Sequence, residues 1–136
     1  MTLAQFLRAR LIEEESIAFA AISDRFQRVE DGLETVARDD GAWRATSGRV
    51  YGVTLDTYDE GGITRDQAKH IALHDPARVL REVEARRRIL DDYNHLSALP
   101  EWDERVRGGK PSLEGVLRSF ALVHVDHPDY DQAWHS

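Results

Sequence analysis

Apolar residues at Leu3, Phe6, Leu7, Leu11 and Ile12 recur at helical spacing, and Thr2 with Gln5 three positions later forms a capping-box pattern ahead of them. A second apolar set, Ile22, Phe26, Val29, Leu33 and Val36, steps by 4, 3, 4 and 3 residues, the rhythm of a heptad seam. No Pro and a single Gly fall between Thr2 and Arg38. The pattern predicts an N-terminal helical segment over 1–40, stopped at Asp39-Asp40-Gly41, with Gly41 as the left-handed residue that follows a helix. Unbroken, that helix would measure about 55 Å at ~1.5 Å per residue. Such a rod is too long for a globule of 15.5 kDa. It must break near Ser23-Asp24, or protrude and find a partner.

The pattern changes at Ala42. Residues 42–57 are rich in Val, Thr, Tyr and Trp, with Ser47-Gly48 as a two-residue turn and Tyr51, Val53 and Leu55 alternating onto one face, which predicts a β-hairpin. Asp59-Glu60-Gly61-Gly62 closes it as a turn. Thr64 and Gln67 make a second capping box, opening a short helix from Arg65 to His74. Asp75-Pro76 is a boundary, because Pro disfavours helix at the residue before it and suits the first turn of the next. The helix from Pro76 to Asn94 carries Val79, Leu80, Val83, Leu90 and Tyr93. Leu99-Pro100 and Gly108-Gly109 mark 98–111 as loops with one short charged segment, and Ser112 caps a last helix bearing Leu113, Val116, Leu117, Phe120 and Ala121. Trp134 is expected to dock back on the core. The expected fold is α+β and predominantly α-helical, one domain over 1–136, with 64–136 as helical core and C-terminal turn. Val79, Leu80, Val83, Leu90, Val116, Leu117 and Phe120 are its expected core.

Composition narrows the function classes. Basic residues number 18 against 25 acidic, a net charge of −7, so the field opposes nucleic-acid phosphate and duplex binding is not expected. Charged residues reach 32% of the chain, against about 25% in ordinary domains. There is no Cys, hence no disulfide framework, thiolate zinc site or thiol nucleophile. The longest apolar run, Ile17–Ile22, is far short of the ~20 residues that span a bilayer. The opening MTLAQFLRARLIEEE places acids where a signal peptide has its apolar stretch, so the expectation is a soluble cytoplasmic protein.

Two stretches resemble known signatures. HIALHDPARVLREVEARRRIL, residues 70–90, is similar to the central signature of an uncharacterised actinobacterial and actinophage family of unknown function, and VLRSFALVHVDHPDYDQAW, residues 116–134, to its C-terminal one. MTLAQFLRARL fits as well. The resemblance implies a bacterial or phage-infected setting and brings no activity. Many members carry cysteines resembling metal ligands between the signatures, where this chain has none. The family pattern also has Pro-Tyr-Ala ahead of Asp-His-Pro, near the place of His124 and Val125 here.

Candidate chemistry is sparse. His70 and His74, four apart on a helix, could chelate a zinc or other divalent ion if Asp126 and His127, or His124, supplied further ligands. The HExxH pattern is absent, and the plainer expectation is a half-exposed His70 and a His74 packed at the helix end. Asp75 is either a cleft carboxylate or, more simply, the cap of the Pro76 helix. Asp126 and Asp129 suit turn formation better than acid/base work. Arg86, Arg87 and Arg88, with Arg78 and Arg81, form the basic concentration, but Glu82–Arg86 and Glu84–Arg88 spacing predicts a salt-bridged face. One arginine is expected to lie along the core with its head at the edge. Glu13, Glu14, Glu15, Asp24, Glu30, Asp31 and Glu34 suggest a solvated acidic face or a partner-binding surface. No catalytic or cofactor-binding residue stands out. The expected function is an accessory interaction protein that binds itself as a dimer, or another protein, through Ile22, Phe26, Val29, Leu33 and Val36. The alternative is a metal-binding protein or metal-dependent hydrolase.

Overall fold

The structure, a computed structural model, describes residues 1–58 and 62–135, without the side chains of 25–27 and 36. The turn expected at 59–62 falls almost wholly outside these residues. Helices α1 (Leu3–Ala20), α2 (Arg65–Leu73), α3 (Pro76–Ser97) and α4 (Glu104–Ala121) accompany two antiparallel hairpins, β1 (Arg25–Val29) with β2 (Gly32–Ala37) and β3 (Arg44–Thr46) with β4 (Arg49–Tyr51). The fold is α+β, mostly helical, as the sequence predicts. Contacts divide the chain into two compact units, Met1–Glu13 with Val83–Ser136, and Glu14–Glu82.

In the first unit, the Thr2 hydroxyl accepts from Gln5 N at 3.2 Å and Gln5 Oε1 accepts from Thr2 N at 2.9 Å, so the first capping box forms. Phe6, Leu7, Leu11, Val83, Leu90, Leu117, Ala121 and Tyr130 are buried. Of the expected core residues, Val116 is instead exposed, Phe120 is half-buried, and Val79 and Leu80, which belong to the second unit, are half-buried as well. The Arg86 guanidinium lies 5.7 Å from the centre of the Phe120 ring, which is the edge position expected for one arginine of the run.

Helix α4 corrects the loop expected over 98–111. It starts eight residues before Ser112 and carries Gly108, Gly109 and Pro111 inside it. Asp103 is the actual cap, accepting from Arg105 N at 2.9 Å. The Arg105 side chain also binds Asp103 and holds its carboxyl down at about 2. A carboxyl depressed on folding stabilises the fold above its unfolded pKa, and that help fades as pH falls towards 2. Arg105 is exposed and Asp103 half-buried, so solvent screens the pair and the effect is small. The stability difference between wild type and Asp103→Asn should shrink steadily between about pH 5 and 2 in acid titrations.

In the second unit, the heptad expectation is corrected. α1 stops at Ala20, and Ser23 N and Asp39 N donate to Asp39 Oδ2 and Asp24 Oδ1, both at 2.8 Å, closing the base of the first hairpin. Val29 pairs with Gly32 across Glu30-Asp31, and Gly32 has φ 133. An acidic pair followed by Gly is a hairpin turn, and side-chain bonds to the backbone at both ends compete with helix. Phe26, Val29, Leu33 and Val36 therefore lie on two paired strands, and Ile22 precedes them, so the five do not form one helical face.

The second hairpin turns at Ser47-Gly48 as expected, with Ser47 at φ 50. Strand β4 ends at Tyr51, short of Val53 and Leu55, because the chain turns back at Gly52 and Asp56 bridges to Tyr51. Arg49 fixes this return by binding Asp56 through Nε at 2.8 Å, with its guanidinium 5.1 Å from the Tyr51 ring. The same contact lowers the Asp56 pKa. Helix α2 packs on β3 and β4, with Val50 and Ala68 fully buried. Its capping box forms as predicted, Thr64 N to Gln67 Oε1 at 2.8 Å and Gln67 N to the Thr64 hydroxyl at 3.1 Å.

Candidate functional site

One face of α4 carries Pro111, Glu114, Gly115, Arg118 and Ser119, and Leu122 follows it in a 3-10 turn, Leu122–His124. These positions repeat every three or four residues and so line up along the helix. The C-terminal 3-10 turn, Gln132–His135, sets Trp134 and His135 opposite them. Together they enclose an open cleft of about 460 Å³ in the first unit. That lies within the ~300–1,000 Å³ typical of ligand sites.

Phe6 explains the position of the Trp134 wall. Its ring is fully buried and meets Trp134 at 5.0 Å, His127 at 5.6 Å, and His124 and Tyr130 at 6.1 Å each. Tyr130 and Trp134 meet edge to face at 5.6 Å. Trp134 thus docks on the core as expected and offers its remaining surface to the cleft.

Three polar side chains of the cleft are engaged along the helix itself. Glu114 binds Arg118 at 3.0 Å, and the Ser119 hydroxyl donates to the Gly115 carbonyl at 3.1 Å. Ser119 makes no hydrogen bond to His135 among the described residues, so no nucleophile and base are joined here.

The proposed metal ligands fall into separate units. His70 and His74 belong to the second, with ring centres 4.5 Å apart, and the His74 Nδ1 is bonded to the His70 carbonyl at 2.9 Å at the end of α2. Asp126 and His127 belong to the first. The His127 Nδ1 accepts from Asp129 N at 3.0 Å, and its Nε2 faces the Arg10 guanidinium. Both ring nitrogens are thus turned to N–H donors instead of open space, a poor arrangement for a metal ligand. Among the described residues, no group of three or more His, Asp or Glu side chains could hold a metal ion.

Asp75 is a structural cap. Its Oδ1 accepts from Arg78 N at 2.8 Å, while Oδ2 accepts from Trp43 N at 3.0 Å. Along α3, Glu84 pairs with Arg88 as predicted, and Glu82 meets Arg78 at 2.8 Å, giving a salt-bridged face. Glu13 binds Arg10 at 2.8 Å. The five-residue interaction stripe is distributed as described above, with Val29 and Leu33 exposed.

Sequence reasoning missed the cleft because Gly108-Gly109 and Pro111 looked like a loop. The usable signals were Asp103-Glu104, a cap followed by an acid in the first turn, and the Glu114–Arg118 spacing.

The chain belongs to a family described as a family of unknown function (DUF6221), whose match covers residues 1–136. No curated protein and no solved structure matches it. No helix among the described residues is long and apolar enough to cross a membrane.

Proposed function

We propose that this member of the family is an accessory binding protein that seats an apolar side chain of a partner protein in the α4 cleft. The observation that carries the proposal is the cleft's make-up: Trp134, Leu122 and Pro111 offer apolar surface beside the polar Glu114, Arg118 and His135. An aromatic and aliphatic surface mixed with polar groups, Trp and Arg among them, suits a protein interface. The catalytic and metal alternatives gain no comparable support. No cofactor is required. The partner is another protein or a second copy of this chain, and the cytoplasm of an actinobacterial or phage-infected cell is the setting that the sequence resemblance suggests.

Gly115 provides the test. A Cβ there would meet no heavy atom within 4 Å, so Gly115→Leu should project into the cleft without disturbing the fold. Melting should hold or rise, since Gly inside a helix is ~1 kcal/mol worse than Ala. A photoreactive side chain at Ser119 should then give a discrete crosslinked product in cells, lost in the Gly115→Leu background. Light scattering identifies a second copy by a mass near twice 15.5 kDa. A product that persists unchanged in Gly115→Leu, or no product at all, overturns the assignment.

A further inference from the structure

The geometry points to a binding site for the phosphate group of a small phosphomonoester, in the second unit between the β3–β4 turn and α2. A cleft of about 360 Å³ is lined there by Ala45, Thr46, Ser47, Arg65 and Lys69. Two cationic and two hydroxyl-bearing residues line it, and no carboxylate among the described residues does. In a chain with a net charge of −7, that local sign is the reverse of the whole.

Arg65 and Lys69 stand four apart on α2, one above the other on the same face. Neither has a hydrogen bond or ion pair among the described residues, whereas Arg49, Arg78 and Arg105 each bind a carboxylate. Like charges at this spacing repel, and an anion between them would relieve the repulsion. A guanidinium fork and an ammonium match the several acceptor oxygens of a phosphate, and the charge of a phosphate dianion matches the two cations. The Thr46 and Ser47 hydroxyls have no hydrogen-bond partner among the described residues and add two more donors.

The arrangement is held in place. A Cβ on Gly48 would collide with the Ile63 carbonyl oxygen, so the turn packs backbone to backbone against the segment leading into α2. Ala68 and Val50, both fully buried, anchor helix and hairpin behind the site. The hydroxyl-bearing turn and the cationic start of α2 therefore line one defined gap. The volume exceeds that of a bare phosphate and leaves room for an ester group beside Ala45. Two cations in an acidic chain favour a small ligand over a polyanion, whose binding draws on many phosphate contacts.

The test is a titration of the full-length 15N-labelled protein at fixed ionic strength with inorganic phosphate, glucose 6-phosphate and, as a control, chloride. Saturable shifts are expected at 45–48 and 65–69, with glucose 6-phosphate binding at least as tightly as phosphate. Affinity should rise from pH 5.5 to 7.5 as the phosphate takes its second charge, with pKa ~6. Arg65→Gln and Lys69→Gln should each weaken binding about tenfold, Lys69→Arg should retain it, and Arg28→Gln on the other hairpin should change nothing. Both side chains are exposed, so these variants should fold, which circular dichroism checks. Shifts that never saturate, spread over the surface cations, or survive both Gln variants overturn the site. So does tighter binding of a single-stranded oligonucleotide than of glucose 6-phosphate. Gly115→Leu should leave the titration unaltered, which keeps this site separate from the α4 cleft.

Discussion

Phe6→Ala is expected to destabilise the protein by about 3–5 kcal/mol, the usual cost of emptying a buried Phe site. Thermal melting should fall by on the order of 10 °C. The ring is fully buried and is met by four others, so its removal leaves a void that rigid aromatic neighbours fill poorly. The Arg10 guanidinium, 5.6 Å from the Phe6 ring centre, loses its aromatic face as well. Phe6→Leu should recover part of the loss, since it restores volume but no ring edges. Tyr130→Phe is the informative control within the same cluster. The Tyr130 hydroxyl is buried and has no hydrogen-bond partner among the described residues, so deleting it should be neutral or mildly stabilising. Trp134 leans on Phe6 to form the cleft wall, so Phe6→Ala should also raise the fluorescence quenching of Trp134 by acrylamide before the protein unfolds. Unchanged melting would mean that the aromatic cluster contributes little to the fold.

What the chain disclosed of this fold depended on how local each signal was. Thr2-Gln5, Thr64-Gln67 and Asp75-Pro76 are rules of three or four residues, and each formed as written. The Ser47-Gly48 turn was equally local. The 22–36 stretch misled because strands and heptads can share an apolar spacing over so few positions, and Asp31-Gly32 was the feature that should have decided between them. Pro111 misled in the opposite direction. A Pro inside a helix removes one hydrogen bond and crowds the preceding turn, yet α4 runs through it, with its cap at Asp103. Both cleft and anion site depend on residues brought together from separate elements. Trp134 is set beside α4 by a turn that also docks on Phe6, and Ser47 and Arg65 line one cleft where Gly48 lets two backbones approach. No spacing rule along the sequence contains that information.

Asp75→Ala should cost about 2–3 kcal/mol, of which ~1 is the lost helix cap and the rest the stranded backbone N–H of half-buried Trp43. The carboxylate spans two segments 32 residues apart, with one oxygen on Trp43 N and the other on Arg78 N. Beside it, Ala77 N donates to the Gly41 carbonyl at 3.0 Å, and Gly41 sits at φ 71 with no room for a larger residue against Ile22. The start of α3 is thus tied to the chain ahead of β3 at two neighbouring points. Asp75→Asn separates the two roles, because an amide keeps one acceptor oxygen and turns a donor towards the other N–H. It should therefore fall between wild type and Asp75→Ala. Urea unfolding of the full chain reads this directly, as midpoints decreasing from Asp to Asn to Ala. Three equal midpoints would free Asp75 from the structural role and return it to consideration as an exposed carboxylate open to chemistry.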